Sequence, residues 1–149
     1  MTDEQKNAFK LRVAAANKTE MVTIIYDIFL AYMDDADAAV ENRDKEERVA
    51  AERHMRGCVS MLTESVNPDV TPAEQLYQLY SYSGRLINRY AQKADRAAVA
   101  ELRQIIGSLR DTWKQVEKYD QDGPVMDNSK QVYAGMTYGK SGMPTEVVK

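Results

Sequence analysis

Several residue types that shape many folds are scarce in this chain of 149 residues. The only cysteine is Cys58, so no disulfide can form within the chain, and a reducing compartment is expected. The only histidine is His54, and a ferritin-type metal site needs two Glu-x-x-His motifs. There are four prolines and seven glycines, and none of either lies in residues 1–56. This composition is typical of a helical protein.

Long apolar runs and an excess of one charge are also missing. No apolar run reaches the roughly 18–20 residues that a membrane-spanning helix needs. The N-terminus has no basic flank followed by an apolar stretch, so we expect no signal peptide. The 20 Lys and Arg residues balance 23 Asp and Glu residues without a basic stripe, which argues against a nucleic-acid partner. We therefore expect one soluble, cytoplasmic protein that does not insert into a membrane.

Capping signals predict four long helices. The clearest start is at Thr71, where Pro72 would occupy the first helical position and Glu74 would complete a capping box. Asn17, Asp44 and Asp95 are the other predicted caps. The four helices are predicted over residues 17–42, 44–66, 71–93 and 95–119.

Short connections between these helices predict an all-α fold, an antiparallel up-down four-helix bundle over residues 1–120. Residues 1–16 would form a helical N-terminal arm, and residues 121–149 an irregular tail, because periodicity is lost there and three glycines cluster. Apolar stripes predict the core of the last three helices. The predicted core residues are Met55, Val59, Leu62, Val66, Leu76, Leu79, Tyr80, Ser83, Ile87, Tyr90, Val99, Leu102, Ile106, Leu109, Trp113 and Val116.

Residues 21–33, MVTIIYDIFLAYM, are more apolar than one buried face requires. Only Thr23 and Asp27 interrupt the run, so this helix is either buried on nearly all sides or covered by a partner. Ile24, Ile28 and Tyr32 lie off its main core stripe and are candidate partner contacts, although the N-terminal arm could equally cover them. On the third helix the candidates that flank the core stripe are Tyr77, Tyr82 and Leu86.

Three glycines, Gly57, Gly84 and Gly107, fall in the middle of predicted helices. Each costs up to about 1 kcal/mol relative to alanine. They would allow close helix contacts, make room for a bound chain, or have no role.

The sequence offers little for catalysis. His54 and Cys58 are four residues apart on one predicted helix, but no third group is present to orient them and no glycine-rich phosphate loop follows a strand. We expect no catalytic, cofactor-binding or metal-binding residues, and an enzyme built in the bundle core is the less favoured alternative.

Four segments, taken in order, carry a resemblance to a known family. They are NAF (7–9), NKTEMVTIIYD (17–27), LYQLYSYSGRLI (76–87) and LRDTWKQV (109–116). Together they resemble the FliS family of flagellin-specific export chaperones over about residues 5–119. Phe9 stands where that family usually has tyrosine, and residues 121–149 have no counterpart in it.

The resemblance implies an antiparallel helical bundle that holds unpolymerised flagellin in the cytoplasm. The C-terminal segment of flagellin would lie in apolar grooves, which prevents premature polymerisation, and the export apparatus would be a further partner. No cofactor or reaction is implied. By family position Phe9 and Val13 of the arm are partner contacts. The alternative is an adaptor or scaffold of the same fold that binds a different client helix.

A covered groove would need a lid while no client is bound. The arm, through Phe9 and Val13, is the natural candidate. Residues 132–138 of the tail contain valine, tyrosines and methionine, and we hypothesise that they act as a second lid or as a mimic of the client.

Overall fold

A computed structural model describes residues 1–126 of the chain. The tail segment 132–138, with its predicted role as a lid, lies outside the described residues. Between residues 1 and 126 the chain is all helical and contains no strand, as predicted. The elements are α1 (Asp3–Ala15), α2 (Lys18–Glu41), α3 (Lys45–Ser65), α4 (Ala73–Lys93), α5 (Arg96–Val116) and a 3₁₀ turn (Glu117–Tyr119).

Three of the four predicted caps are present. The Asn17 side chain accepts from the Glu20 N–H at 2.9 Å, and the Glu20 carboxylate accepts from the Asn17 N–H at 3.2 Å. Asp44 and Asp95 likewise accept backbone N–H groups in the first turns of α3 and α5. A short polar side chain at these positions satisfies donors that the helix itself leaves unpaired.

The start of α4 differs from the prediction. The helix begins at Ala73, Pro72 occupies the cap position, and no side chain caps the helix. Thr71 is part of a turn closed by the Ala73 N–H, which donates to the Val70 carbonyl at 3.0 Å. That turn takes Thr71 out of the capping position. The Thr71–Pro72 peptide bond is cis.

Contacts within the described chain group it into two units. The terminal unit comprises Met1–Ile24 together with the chain from Trp113 onward, and the central unit is Ile25–Thr112. The central unit contains most of α2 and α5 and all of α3 and α4.

Large aromatic and aliphatic side chains fill the core of the central unit. The hydroxyls of Tyr26 and Tyr80 are hydrogen-bonded to each other at 2.5 Å, and the Tyr90 hydroxyl donates to the Ala36 carbonyl at 3.4 Å. A buried tyrosine thus keeps a partner for its polar end. The predicted core is confirmed as buried at Met55, Leu62, Tyr80, Ser83, Ile87, Tyr90, Leu102 and Ile106.

The remaining predicted core positions are less covered. Val116 is 40% exposed, so its assignment to the core was wrong. It belongs to the last turn of α5, where the chain passes into the 3₁₀ turn. The half-buried members of the predicted stripes are Val59, Val66, Leu76, Leu79, Val99, Leu109 and Trp113.

The apolar surplus of α2 is largely absorbed inside the protein. All five residues of the segment 22–26 are buried, including Thr23, whose hydroxyl donates to the Thr19 carbonyl of its own helix. Asp27 accepts from the guanidinium of Arg110 at 2.7 Å, and only 15% of its side chain is exposed. The polar positions in the run are therefore used within the fold.

Ion pairs and hydrogen bonds fix the relative directions of the central helices. Arg110 contacts Asp27, and Arg103 contacts Asp34. The contacts advance by seven residues along α2 and go back by seven along α5, so these two helices run in opposite directions. Between α2 and α4, Tyr26 contacts Tyr80 and Ala36 contacts Tyr90. The residue numbers rise on both helices, so α2 and α4 run in the same direction.

The terminal unit contains a segment that we call the strap, residues 120–125, which runs beside the junction of α1 and α2. The Val125 N–H donates to the Ala16 carbonyl at 2.8 Å. The Asn17 amide donates to the carbonyls of Asp120 and Asp122 at 3.4 and 3.3 Å. These bonds attach a non-helical segment to the break between α1 and α2.

We expect Arg110→Ala to lower the free energy of unfolding by about 1–2 kcal/mol, because it removes the guanidinium that donates to the largely covered Asp27 carboxylate. Urea unfolding followed by circular dichroism measures this. Gln104→Ala, at an exposed position of the same helix, is the matched control and should change stability by less than about 0.5 kcal/mol. Equal stability of the two variants would contradict a stabilising role for the pair.

Candidate partner-binding surface

The eight predicted contact residues are divided between the two units. Phe9, Val13 and Ile24 belong to the terminal unit. The central unit contains the other five, which are Ile28, Tyr32, Tyr77, Tyr82 and Leu86.

Two of the eight are core residues in this conformation. Ile24 is 3% exposed and Leu86 is fully buried. Neither side chain is accessible to a partner unless its neighbours move. Their predicted role as direct contacts is therefore the least supported, whereas the other six residues are half-buried.

Ile28 and Tyr32 lie one helical turn apart on the same face of α2. The Tyr32 ring stacks on the His54 ring of α3, with centroids 4.4 Å apart and planes at 14°. Burial, followed by the charges of Cys58 and Asp35, raises the pKa of the Tyr32 hydroxyl. Ile28 and Tyr32 thus form an apolar strip on α2, and Tyr32 links this strip to α3.

The two tyrosines of α4 lie on opposite edges of its buried face. The Tyr82 hydroxyl donates to Glu101 of α5 at 2.5 Å, and this bond, with burial, raises the pKa of the hydroxyl. Tyr77 shares its face with Asn88, which accepts from Arg56 of α3 at 3.0 Å. Tyr77 therefore faces the α3 side and Tyr82 the α5 side, so the predicted set does not form one continuous surface.

Sequence patterns did not single out Ile105 as a surface residue, and they placed Leu79 in the core. Both side chains are half-buried. Leu79 lies about one turn before Tyr82 on α4, and Ile105 about one turn after Glu101 on α5, so they continue the same seam. In the sequence, both residues lie at the margin of an apolar stripe. At such positions the pattern does not distinguish a core residue from a residue that lines a surface groove.

Phe9 and Val13 lie on one face of α1, one turn apart, and both are half-buried. The guanidinium carbon of Arg12 is 5.6 Å from the centroid of the Phe9 ring, a cation–π distance. The Phe9 ring thus has a cationic neighbour from its own helix.

The pair considered for nucleophilic chemistry does not form an activated site. Cys58 is buried, and burial raises the pKa of its thiol from 9.0 to about 12. An activated cysteine has a lowered pKa, because the thiolate is the nucleophile. His54 is instead engaged in stacking with Tyr32. Among residues 1–126, no cluster of three His, Cys, Asp or Glu side chains is arranged to hold a metal ion.

Since the pKa of the Cys58 thiol is raised on folding, its contribution to the free energy of unfolding is complete below about pH 9 and is lost as pH rises towards 12.

We expect Cys58 to react with a thiol reagent such as DTNB at pH 8 at least about a hundredfold more slowly in the native protein than in denaturant, because reaction requires opening of the core. Rapid labelling of the native protein would show that Cys58 is accessible.

The three mid-helix glycines face open space. A Cβ atom added at Gly57, Gly84 or Gly107 would meet no atom within 4 Å, beyond the glycine's own neighbours. Close helix contact therefore does not explain these glycines, and of the functional interpretations only room for a bound chain remains.

Gly84→Ala should raise the free energy of unfolding by about 0.5–1 kcal/mol, since alanine is the better helix former and its methyl group meets no neighbour. Gly57→Ala, at an exposed position of α3, is the reference and should stabilise by a similar amount. Thermal unfolding of both variants measures the effect. Destabilisation by Gly84→Ala alone would mean that the space at this position is not free.

None of the described helices is long and apolar enough to span a membrane. In a comparison with known families, the model described as "Flagellar protein FliS" matches residues 1–120 of the chain. The matched region includes all five α-helices and the 3₁₀ turn, and it ends at the first residue of the strap. No curated protein matches the chain.

Proposed function

The chain belongs to the FliS family of flagellar chaperones, and from this premise we propose that it binds the C-terminal segment of unpolymerised flagellin in the cytoplasm. Binding would cover the helices through which flagellin subunits associate, and so prevent polymerisation before export. The chaperone would then deliver its client to the export apparatus. The family match over residues 1–120 is the observation that carries this proposal. No cofactor and no catalysed reaction are required.

We further propose that the central helices pack as an antiparallel up-down four-helix bundle, with α1 as an additional N-terminal helix. The opposite directions of α2 and α5, together with the common direction of α2 and α4, support this arrangement. In such a bundle alternate helices run parallel and sequential helices run antiparallel.

The half-buried apolar side chains are the proposed contacts for flagellin. On the central unit, Ile28 and Tyr32 would contact the client on the α2 side, and Tyr77 and Tyr82 on α4. Leu86, which is buried in the central unit, would support these contacts from beneath, and Ile24, which is buried in the terminal unit, is proposed as a support within that unit.

On the terminal unit, Phe9 and Val13 are the proposed contacts of α1. A disordered client that folds on binding loses chain entropy, which must be offset by a large buried apolar area. Contacts on several helices would supply that area.

Titration calorimetry of the full chain with a flagellin C-terminal peptide of about 40–50 residues tests the proposal. We expect one-to-one binding with a large negative heat-capacity change, which reports apolar burial coupled to folding of the peptide. A peptide of the same composition in scrambled order is the control. No binding of the native peptide by the folded chain would contradict the flagellin assignment and favour an adaptor with another client.

Ile28→Asp should abolish binding of the flagellin peptide while the far-ultraviolet dichroism of the chain is retained, because it places a charge within an apolar contact strip. Ala38→Asp adds the same charge at an exposed position of α2 and should bind as the parent does. Parental affinity of a folded Ile28→Asp variant would remove Ile28 from the binding surface. Loss of the helical signal would instead show that Ile28 is a core residue.

A further inference from the structure

The strap contacts both helix ends that meet at the junction of α1 and α2. Its Val125 N–H donates to the carbonyl of Ala16, the C-cap residue of α1. Its Asp120 carboxylate accepts from the Thr19 hydroxyl, in the first turn of α2, at 2.6 Å. A helix end leaves carbonyls and N–H groups without partners inside the helix, and the strap supplies one such partner at the end of α1.

Asn17 divides its amide group between the helix and the strap. Its oxygen caps α2 by accepting from the Glu20 N–H, and its nitrogen donates to the strap carbonyls of Asp120 and Asp122. The residue is only 5% exposed. Removing the strap would therefore leave a nearly buried amide nitrogen without these two acceptors.

The Asp120 carboxylate is charged at neutral pH. The hydrogen bond from Thr19 and, after it, the backbone N–H of Asp122 hold the pKa of this carboxyl below its ordinary value. A negative charge in front of the first turn of α2 also interacts favourably with the helix dipole.

Most residues of helix α1 are exposed. Of its 13 residues only Ala14 is buried, while Phe9, Lys10 and Val13 are half-buried and Leu11 is 40% exposed. With one fully buried residue, α1 depends less on apolar burial than α3 and α4 do. The hydrogen bonds at the Ala16–Asn17 junction add to what holds α1.

From these contacts we propose that the strap is a conformational latch for α1. While residues 120–125 are bound at the junction, α1 is held against the rest of the terminal unit, and when they detach, α1 is released as one helix. The match to the family ends at Asp120, so most of the latch lies outside the family region. The inference goes beyond the proposed function, because it concerns the chain without any client.

The test is hydrogen exchange by mass spectrometry on the full chain carrying Asn17→Asp. Aspartate is as good a helix cap as asparagine, so the start of α2 stays capped, but it cannot donate to the strap carbonyls. We expect the α1 amides to exchange about tenfold faster, the change that corresponds to loss of two modest hydrogen bonds. The protection of α2 should remain at the parental level.

Thr19→Val removes the hydrogen bond from the Thr19 hydroxyl to the Asp120 carboxylate and leaves the Asn17 cap in place, so it should also accelerate exchange in α1. Gln121→Ala, at an exposed position of the strap, is the control and should exchange as the parent does. The proposal is overturned if α1 exchanges at the parental rate in both Asn17→Asp and Thr19→Val. It is also overturned if α1 and α2 lose protection equally in Asn17→Asp, because the residue would then act as a cap alone.

Discussion

Burial of α2 is the constraint on which the rest of the described structure depends. Five consecutive residues, 22–26, are withdrawn from water, which no helix on a protein surface can achieve with one apolar face. The polar groups of such a buried helix must form hydrogen bonds or ion pairs, because an unpaired polar atom inside a protein costs more free energy than a hydrogen bond contributes. The Thr23 hydroxyl donates to a carbonyl of its own helix, and the Asp27 carboxylate pairs with Arg110.

Several apolar residues around the buried part of α2 are only partly covered. Ile28 and Tyr32 on α2, and Leu79 and Ile105 at the seam of α4 and α5, remain half-buried. A core of this size can be closed only where helices meet, so residues at the margins of each stripe keep contact with water. For the flagellin client that we propose, these margins are where an amphipathic helix would add its own apolar face.

The two units also illustrate different ways of holding helices. The central unit relies on large buried side chains such as Tyr26, Tyr80 and Ile87, with ion pairs at its edges. The terminal unit relies more on hydrogen bonds from a non-helical segment to a helix junction. Hydrogen bonds at a junction are individually modest and can be exchanged for water, whereas extensive apolar burial is lost only by unfolding.

Most helices of this protein and their starts could be predicted from the sequence, with the start of α4 as the exception. Local chemistry sets helix starts, so Asn17, Asp44 and Asp95 could be identified as caps without any knowledge of the fold, and apolar periodicity identified Met55, Leu102 and Ile106 as core. The family could be suspected from four ordered segments because each of them combines several residues.

Which apolar residues are covered, and which polar residues meet, could not be predicted from the sequence because both depend on helix packing. Leu86 and Tyr82 look equivalent on a helical wheel, yet one is buried and the other is bonded to Glu101. Likewise, nothing local indicates that the amide of Asn17 reaches a segment about a hundred residues away. Exposure and long-range pairing depend on how the helices pack, and a periodic pattern specifies which face is apolar but not how far its neighbours extend over it.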